Sequence, residues 1–191
     1  MEVHKLTFVG SGSVGKSCII VRYLQNTFSS VYDPTVEENF RKETEVDGTP
    51  CTLEINDTAG QEEFRSIREK YIKVSEIVIL VFSIVSRHSF NEVRTLFESI
   101  GRMRGIRIAT LVVANKIDLA EDRLVTREEA EELVKNNKST YIESSAKTGD
   151  GVSVIFDEAV RVLRKFKAEA PKVQEAPKEA PKNEGGCCVL F

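Results

Sequence analysis

The sequence predicts an α/β fold: a doubly wound, mostly parallel sheet with one antiparallel edge hairpin. Three observations carry that expectation. Two continuous apolar runs of strand length, IVILVFS over 77–83 and ATLVVA over 109–114, read as central strands covered on both faces. Stretches with helix-opening signals alternate with such runs through short connections, the pattern of parallel crossover units. An Asp47-Gly48 turn between two alternating stretches supplies the hairpin. In sheets of this kind the loops after the strand C-termini gather along one edge, where ligands bind.

Each element follows from a local signal. A first strand is expected over 3–9 (VHKLTFV) and a first helix over 18–24 (CIIVRYL). Residues 25–38 are polar, contain Asp33-Pro34, and read as an ordered loop. Strands over 40–46 and 49–56 flank the Asp-Gly turn, and Pro50 near the start of the second suits an edge position. DTAGQEEF over 57–64 leads into a charged, partly helical segment ending at Lys73. Ser89 and Glu92 have capping-box spacing and open a helix over 89–104; Thr126 and Glu129 open another that ends near Asn136. A short strand over 140–143 precedes the last helix, over 152–166. There Val152, Ile155, Phe156, Ala159 and Leu163 fall at helical spacing. Arg161, Arg164, Lys165 and Lys167 near its end are read as dipole partners and a solvated face.

From residue 168 the texture changes. EAPK occurs three times, and Pro171, Pro177 and Pro181 forbid a continuous helix, so 168–186 reads as a semi-extended, disordered spacer. The expected organisation is a nucleotide-binding domain over 1–167, that spacer, and a terminal motif over 187–191.

With 191 residues there is material for one domain with a full core plus an appendage. A formal net charge of -3 with interspersed signs argues against nucleic acid as the main partner. The longest apolar run is too short to cross a bilayer and the N-terminus has no signal-peptide pattern, so the body is expected in the cytosol. Cys18 and Cys51 lie within apolar patterns and Cys187 and Cys188 at the end, which favours reduced thiols over a disulfide framework. His4 and His88 have no partners at ligand spacing and are expected as surface or strand-edge residues, with no zinc site.

Four motifs carry chemistry. GSGSVGKS (Gly10, Ser11, Gly12, Ser13, Val14, Gly15, Lys16, Ser17), running on into Cys18, is a phosphate-binding loop between a strand and a helix. Gly10, Gly12 and Gly15 are expected to allow conformations and a close approach that a Cβ would obstruct. Lys16 offers a charge to the outer phosphates and Ser17 a hydroxyl to Mg2+, with the helix dipole behind them. In Asp57-Thr58-Ala59-Gly60-Gln61, Asp57 at a strand end suits a magnesium site through a water. Gly60 can bring its N–H to a terminal phosphate, and Gln61 can orient an attacking water. Asn115-Lys116-Ile117-Asp118 puts a carboxylate where it can accept from the adjacent N1–H and N2–H of guanine, a pair that adenine lacks. Ser145-Ala146-Lys147 can bring the Ala146 N–H to the base O6. The last four residues, Cys188-Val189-Leu190-Phe191, form a C-a-a-X box whose final Phe favours geranylgeranylation of Cys188. One lipid anchors marginally, so palmitoylation of Cys187 is the expected second signal.

Together GSGSVGKS, YDPTVEENF, DTAGQEEF, NKID, SAK and CVLF resemble, in order and spacing, the small GTPases of the Ras superfamily, nearest its Ras/Rap-like branch. The resemblance covers residues 3–166 and the terminal box. It implies the P-loop NTPase small G domain, and a signalling switch that cycles between GDP and GTP and hydrolyses GTP with Mg2+. It further implies that Thr35 binds Mg2+ and the γ-phosphate beside Ser17 and Asp57. Phe28 would stack on guanine, Lys116 brace the base loop, and Gln61, Lys16 and Gly60 serve hydrolysis. Tyr32, Asp33, Pro34, Thr35, Val36, Glu37, Glu38, Asn39 and Phe40 match the effector segment, ordered by GTP. The implied partners are an exchange factor, a GTPase-activating protein and effectors. The implied setting is the cytoplasmic face of a membrane, the plasma membrane first, with a monomeric, lipid-anchored protein. Three positions depart from the family pattern: Ser13 in place of glycine bears on exchange rates, Glu38 in place of Asp on the choice of effector, and 73–76 (KVSE) lacks glycines without an expected effect on the site. Two rival readings remain. A P-loop kinase or metabolic nucleotidase would need an acceptor-binding insertion and leaves NKID unexplained; a GTP-locked scaffold with little turnover is opposed by Gly12 and Gln61.

Overall fold

The structure, a computed structural model, describes residues 1–28, 37–60, 65–104 and 108–169. Six strands form one sheet in the order β2-β3-β1-β4-β5-β6. The elements are β1 (Glu2–Val9), α1 (Lys16–Gln25), β2 (Glu37–Val46), β3 (Thr49–Thr58), α2 (Arg65–Val74), β4 (Ile77–Ser83) and α3 (Arg87–Arg104). They continue with β5 (Ala109–Asn115), a kinked 3-10 segment (Ile117–Asp122), α4 (Arg127–Asn136), β6 (Thr140–Glu143) and α5 (Val152–Glu169). Only β2 and β3 pair antiparallel; every other pair is parallel, as the crossover pattern requires.

The apolar runs of β4 and β5 are buried along their whole length because helices cover both faces. Alternate residues feed two cores. Leu6, Phe8, Ile55, Ile79, Val81, Leu111 and Val113 face α1 and α5, while Val78, Leu80, Phe82, Val112 and Ala114 face α2, α3 and α4. Phe156 of α5 stacks on Tyr23 and tilts against Phe8, with centroids 3.7 and 5.6 Å apart, and so ties α1 and α5 to the central strand.

Several local expectations are corrected. β3 lies inside the sheet and β2 is the edge, so Pro50 is not an edge residue. It is tolerated because β1 begins to pair only at Cys51, one position later. Helix α3 begins at Arg87, not Ser89, and its cap is Ser86, whose hydroxyl accepts the Ser89 N–H at 3.3 Å. Ser89 is instead buried, donating to Ser86 O and accepting the Ser83 N–H. The Thr126 and Glu129 capping box is present in full at the start of α4. Helix α5 continues to Glu169, two residues into the stretch read as spacer, and residues 170–191 lie outside the described residues.

His4 is not a surface residue: it is 1% exposed, under the Glu2 carboxylate at 3.2 Å, with Glu76 beyond at 3.9 Å. Burial and the neighbouring Lys167 push its pKa down, against the pull of Glu2 and Glu76. His88 is exposed on α3. The cations of α5 do more than solvate a face. Arg161 donates to Asp47 in the β2–β3 turn, Arg164 to Glu2 and to Val46 O, and Lys167 pairs with Glu76 at 2.7 Å. The segment after α2 is also used. Ser75 bonds Thr7 and Tyr71 O, and Glu76 exchanges main-chain and side-chain bonds with Lys5, so α2 is fastened to β1.

Candidate functional site

The C-terminal ends of β1, β3, β4, β5 and β6 bring the motifs to one edge. β1 ends at Val9, and Gly10 follows with φ +147°; a Cβ there would lie 2.1 Å from Val81 O. Gly15 caps α1 in the left-handed region at φ +97°, and its Cβ would meet Asn115 Nδ2 at 2.4 Å. Only glycine suits either position. At Gly12 nothing among the described residues lies within 4 Å of an added Cβ, and its φ is not positive, so crowding there would come only from a bound phosphate or from residues outside those described. Ser13 does hold a left-handed conformation, φ 61°, which costs an L-residue roughly 1–2 kcal/mol and which glycine would adopt without that cost.

Within the loop, Lys16 is 6% exposed and its ammonium donates to Gly10 O at 2.9 Å and Ser11 O at 2.8 Å. It spans the loop from beneath and brings a positive charge to the mouth of α1. No acidic residue occupies the first turn of α1 and no side chain caps it, so the dipole end of the helix faces the loop uncompensated by carboxylate.

Asp57 stands near the end of β3, paired with Phe8 on one side and Glu38 on the other. It has no solvent exposure, and among the described residues neither carboxylate oxygen has a partner at full hydrogen-bond geometry. Burial pushes its pKa up to about 6, against the opposing pull of the Ser17 hydroxyl and the Lys16 charge. An orphaned buried carboxylate beside a hydroxyl and a phosphate loop is the donor set that a hard divalent cation satisfies. Three residues on, Gly60 presses on the phosphate loop: a Cβ would come within 2.3 Å of Gly12 N and of Ser11 C. Its main chain is thus held against the outer lip of the loop.

The other half of the edge is built by β5 and the turn after β6. Asn115 is 1% exposed and links three segments: Nδ2 donates to Val14 O at 2.8 Å, while Oδ1 accepts the Ala146 N–H at 3.2 Å and the Ser144 hydroxyl at 3.4 Å. Lys116 follows with φ 70° and turns the chain into the 3-10 segment. That turn presents Asp118, whose Oδ1 accepts the Ser145 hydroxyl at 2.7 Å and whose Oδ2 lies 3.9 Å from the Lys147 ammonium. The Ser145 hydroxyl also takes the Thr148 N–H, which closes the turn that carries Ala146.

Gly10, Ser11, Gly12, Ser13, Val14, Gly15, Lys16, Ser17, Cys18, Asp57, Gly60, Asn115, Lys116, Asp118, Ser145, Ala146 and Lys147 all lie on or just behind this edge. Cys18, the third residue of α1, is half-buried, and burial raises its thiol pKa. Phe28, 39% exposed, follows the end of α1. Glu37, Glu38, Asn39 and Phe40 lie at the start of the edge strand β2. Tyr32, Asp33, Pro34, Thr35, Val36, Gln61, Cys187 and Cys188 lie outside the described residues. Two residues near the site had no assigned part. Tyr71 of α2 bonds Glu37 and Asn39 of β2. Arg22 of α1 bonds the turn at Ala146, and no motif could have signalled that contact.

Comparison with known proteins adds the decisive observation, since a model of the Ras family matches residues 5–165. The chain belongs to the Ras family. It is 44% identical to the Ras-related protein R-Ras of Mus musculus, over all of this chain and 88% of that protein. It is 42% identical to the R-Ras of Homo sapiens, over 98% and 85%. To the Ras-like protein 2 of Drosophila melanogaster it is 39% identical, over 100% and 99%. As a Ras-family small GTPase it hydrolyses GTP and serves as a signalling switch. It binds guanine nucleotide and works with exchange factors, activating proteins and effectors.

Proposed function

We propose that this GTPase works with Mg2+ at the edge just described and acts from a lipid anchor at a membrane. The orphaned Asp57 carboxylate carries the metal part of that reading. Ser17 and Thr35 would bind the ion directly and Asp57 through a water; the ion neutralises charge on the outer phosphates when bound. The phosphates would lie in the loop from Gly10 to Cys18, on main-chain N–H groups and the Lys16 charge. Gly60 would offer its N–H to the γ-phosphate, Gln61 would orient the attacking water, and the proton would leave with the phosphate formed. No arginine finger is evident in the chain, so turnover would be slow until an activating protein supplies one.

Guanine would be read by Asp118 through N1–H and N2–H and by the Ala146 N–H at O6, with Phe28 on the ring and Lys116 bracing the loop. The segment 32–40 would form the effector surface, ordered by GTP. Residues 1–167 would be the GTP-binding domain, followed by a spacer and by lipidation of Cys188 with geranylgeranyl and Cys187 with palmitoyl. The setting would be the cytoplasmic face of the plasma membrane. Among the described residues no helix is long and apolar enough to cross a membrane, which is compatible with a lipid anchor.

Single-turnover phosphate release from GTP, with and without Mg2+ and an activating protein, tests the mechanism. Release that needs the ion and rises with the activator is expected; none under any condition would leave only a GTP-locked scaffold. Cys188→Ser should leave the protein in the soluble fraction of cells, and persistent membrane association removes prenylation as the anchor.

A further inference from the structure

Arg22 lies half-buried in the last turn of α1, outside every recognised motif. Its guanidinium donates to three main-chain carbonyls at once: Nε to Ala146 O at 2.9 Å, Nη2 to Lys147 O at 2.6 Å, and Nη1 to Asn26 O at 3.0 Å. The last of these is the bland part. Asn26 caps α1 in the left-handed conformation and returns its own N–H to Arg22 O at 2.9 Å, so a cation there finishes a helix C-terminus. The other two bonds cross 124 and 125 residues of sequence and have no part in ending a helix.

We propose that Arg22 is a positioning residue for guanine, holding the Ala146 turn at the register that lets its N–H meet the base O6. The reasoning concerns which atoms are held. The Ala146 N–H leans on the inner side on Asn115 Oδ1, at a long 3.2 Å, a bond it would give up to the base O6 when guanine enters, while the Ala146 and Lys147 carbonyls stay gripped on the outer side by one rigid, planar group. Asn115 in turn holds Val14 O, so an unbroken series of bonds runs from the end of α1 through Arg22, Ala146 and Asn115 back to the phosphate loop at its start. Loosening the outer grip leaves the Ala146 and Lys147 carbonyls without that donor, while the turn stays closed through Asn115, the Ser145 hydroxyl and the main-chain bonds of Ser145 with Gly149 and Asp150. The guanidinium meets Ala146 O, Lys147 O and Asn26 O from three separate nitrogens held in one plane, on the β6 side and at the helix end at once. The three donors of a lysine ammonium converge on one atom and cannot span both groups of carbonyls. Because Asn26 is two residues from Phe28, the same guanidinium also fixes the departure of the chain toward the ring that would cover the base.

The proposal rests on the assignment of the Ala146 N–H to O6, and the experiment separates the two. Dissociation rates would be measured for GDP and for 6-thioguanosine diphosphate, which keeps N1–H and N2–H but replaces O6 with a weak acceptor. The proteins are the wild type, Arg22→Ala and Arg22→Lys. Wild type should hold GDP longer than the thio analogue. Arg22→Ala should release GDP about tenfold faster, the scale of losing charge-assisted bonds, while release of the analogue changes by less than about twofold. Arg22→Lys should resemble Arg22→Ala. Equal acceleration of the two nucleotides would reduce Arg22 to a helix brace and overturn the proposal, as would unchanged rates or full rescue by lysine. A wild type indifferent to oxygen or sulfur at position 6 would overturn the Ala146 assignment itself, before any variant is made.

Discussion

At one end of the site Asn115, Asp118, Ser145 and Ala146 are each hydrogen-bonded to another protein group, so their geometry is fixed by the chain alone. At the other end neither oxygen of the buried Asp57 carboxylate has a partner at full hydrogen-bond geometry among the described residues, and burial drives its pKa up to about 6 because the Ser17 hydroxyl and the Lys16 charge offset only part of the lost hydration. The difference separates two tasks. A reader of the base has to be the same in every state, and satisfied bonds make it so. A reader of the phosphates has to change with what is bound, and an unmet charge makes its structure conditional on a ligand. The two ends are joined through Asn115, which touches both the phosphate loop and the Ala146 turn.

The largest expected effect breaks the fixed end. Asp118→Asn should lower affinity for GDP by about 10⁴-fold and favour xanthine nucleotides, since the site would offer a donor where guanine also donates. Competition between GDP and xanthosine diphosphate measures this, and retained guanine preference refutes the assigned pair. Next comes the conditional end. In the nucleotide-free protein Asp57 has its pKa raised from 3.8 to about 6, so folding stability is greatest below the lower value and falls as pH rises through the higher one. Asp57→Asn should remove that loss, adding about 3 kcal/mol at pH 7 to the nucleotide-free protein while weakening nucleotide binding in Mg2+. Denaturant titrations in a chelator between pH 4 and pH 7.5 test it; identical pH profiles for the two proteins would count against the buried charge.

A third substitution sharpens the link between the ends. Asn115→Ala strips three bonds and leaves Val14 O without its side-chain donor, an effect of about 2 kcal/mol. GDP and 6-thio-GDP should both leave faster, in contrast to the selective effect expected of Arg22. The smallest effect lies in the loop itself. Ser13→Gly relieves the left-handed strain and should raise stability by about 1 kcal/mol, read as a higher melting temperature.

The strands and the motif loops were legible because their causes are local. Continuous apolar runs announced β4 and β5, the Asp-Gly turn announced the hairpin, and glycines at Gly10 and Gly15 stand where backbone conformation leaves no alternative. What escaped depends on residues far away in sequence. His4 looks like a strand-edge residue until Glu2 and the end of α5 cover it. Pro50 suggests an edge until β1 supplies a second neighbour for β3. Arg22 is an ordinary helix cation by pattern, and only the approach of the β6 turn gives its fork a purpose. The choice of Ser86 over Ser89 as cap came down to which hydroxyl the core buried.

Helix α5 begins just after the turn carrying Ala146 and ends among Glu2, Glu76 and the Asp47 turn, at the opposite pole of the sheet. Eighteen residues of helix make that crossing a strut of about 27 Å. The lipid tether proposed above would start at that far end and grip the protein by its heel. The nucleotide loops would then point away from whatever surface held the tether, open to a bulky visitor that must reach in, pry out GDP and leave while the GTPase stayed moored.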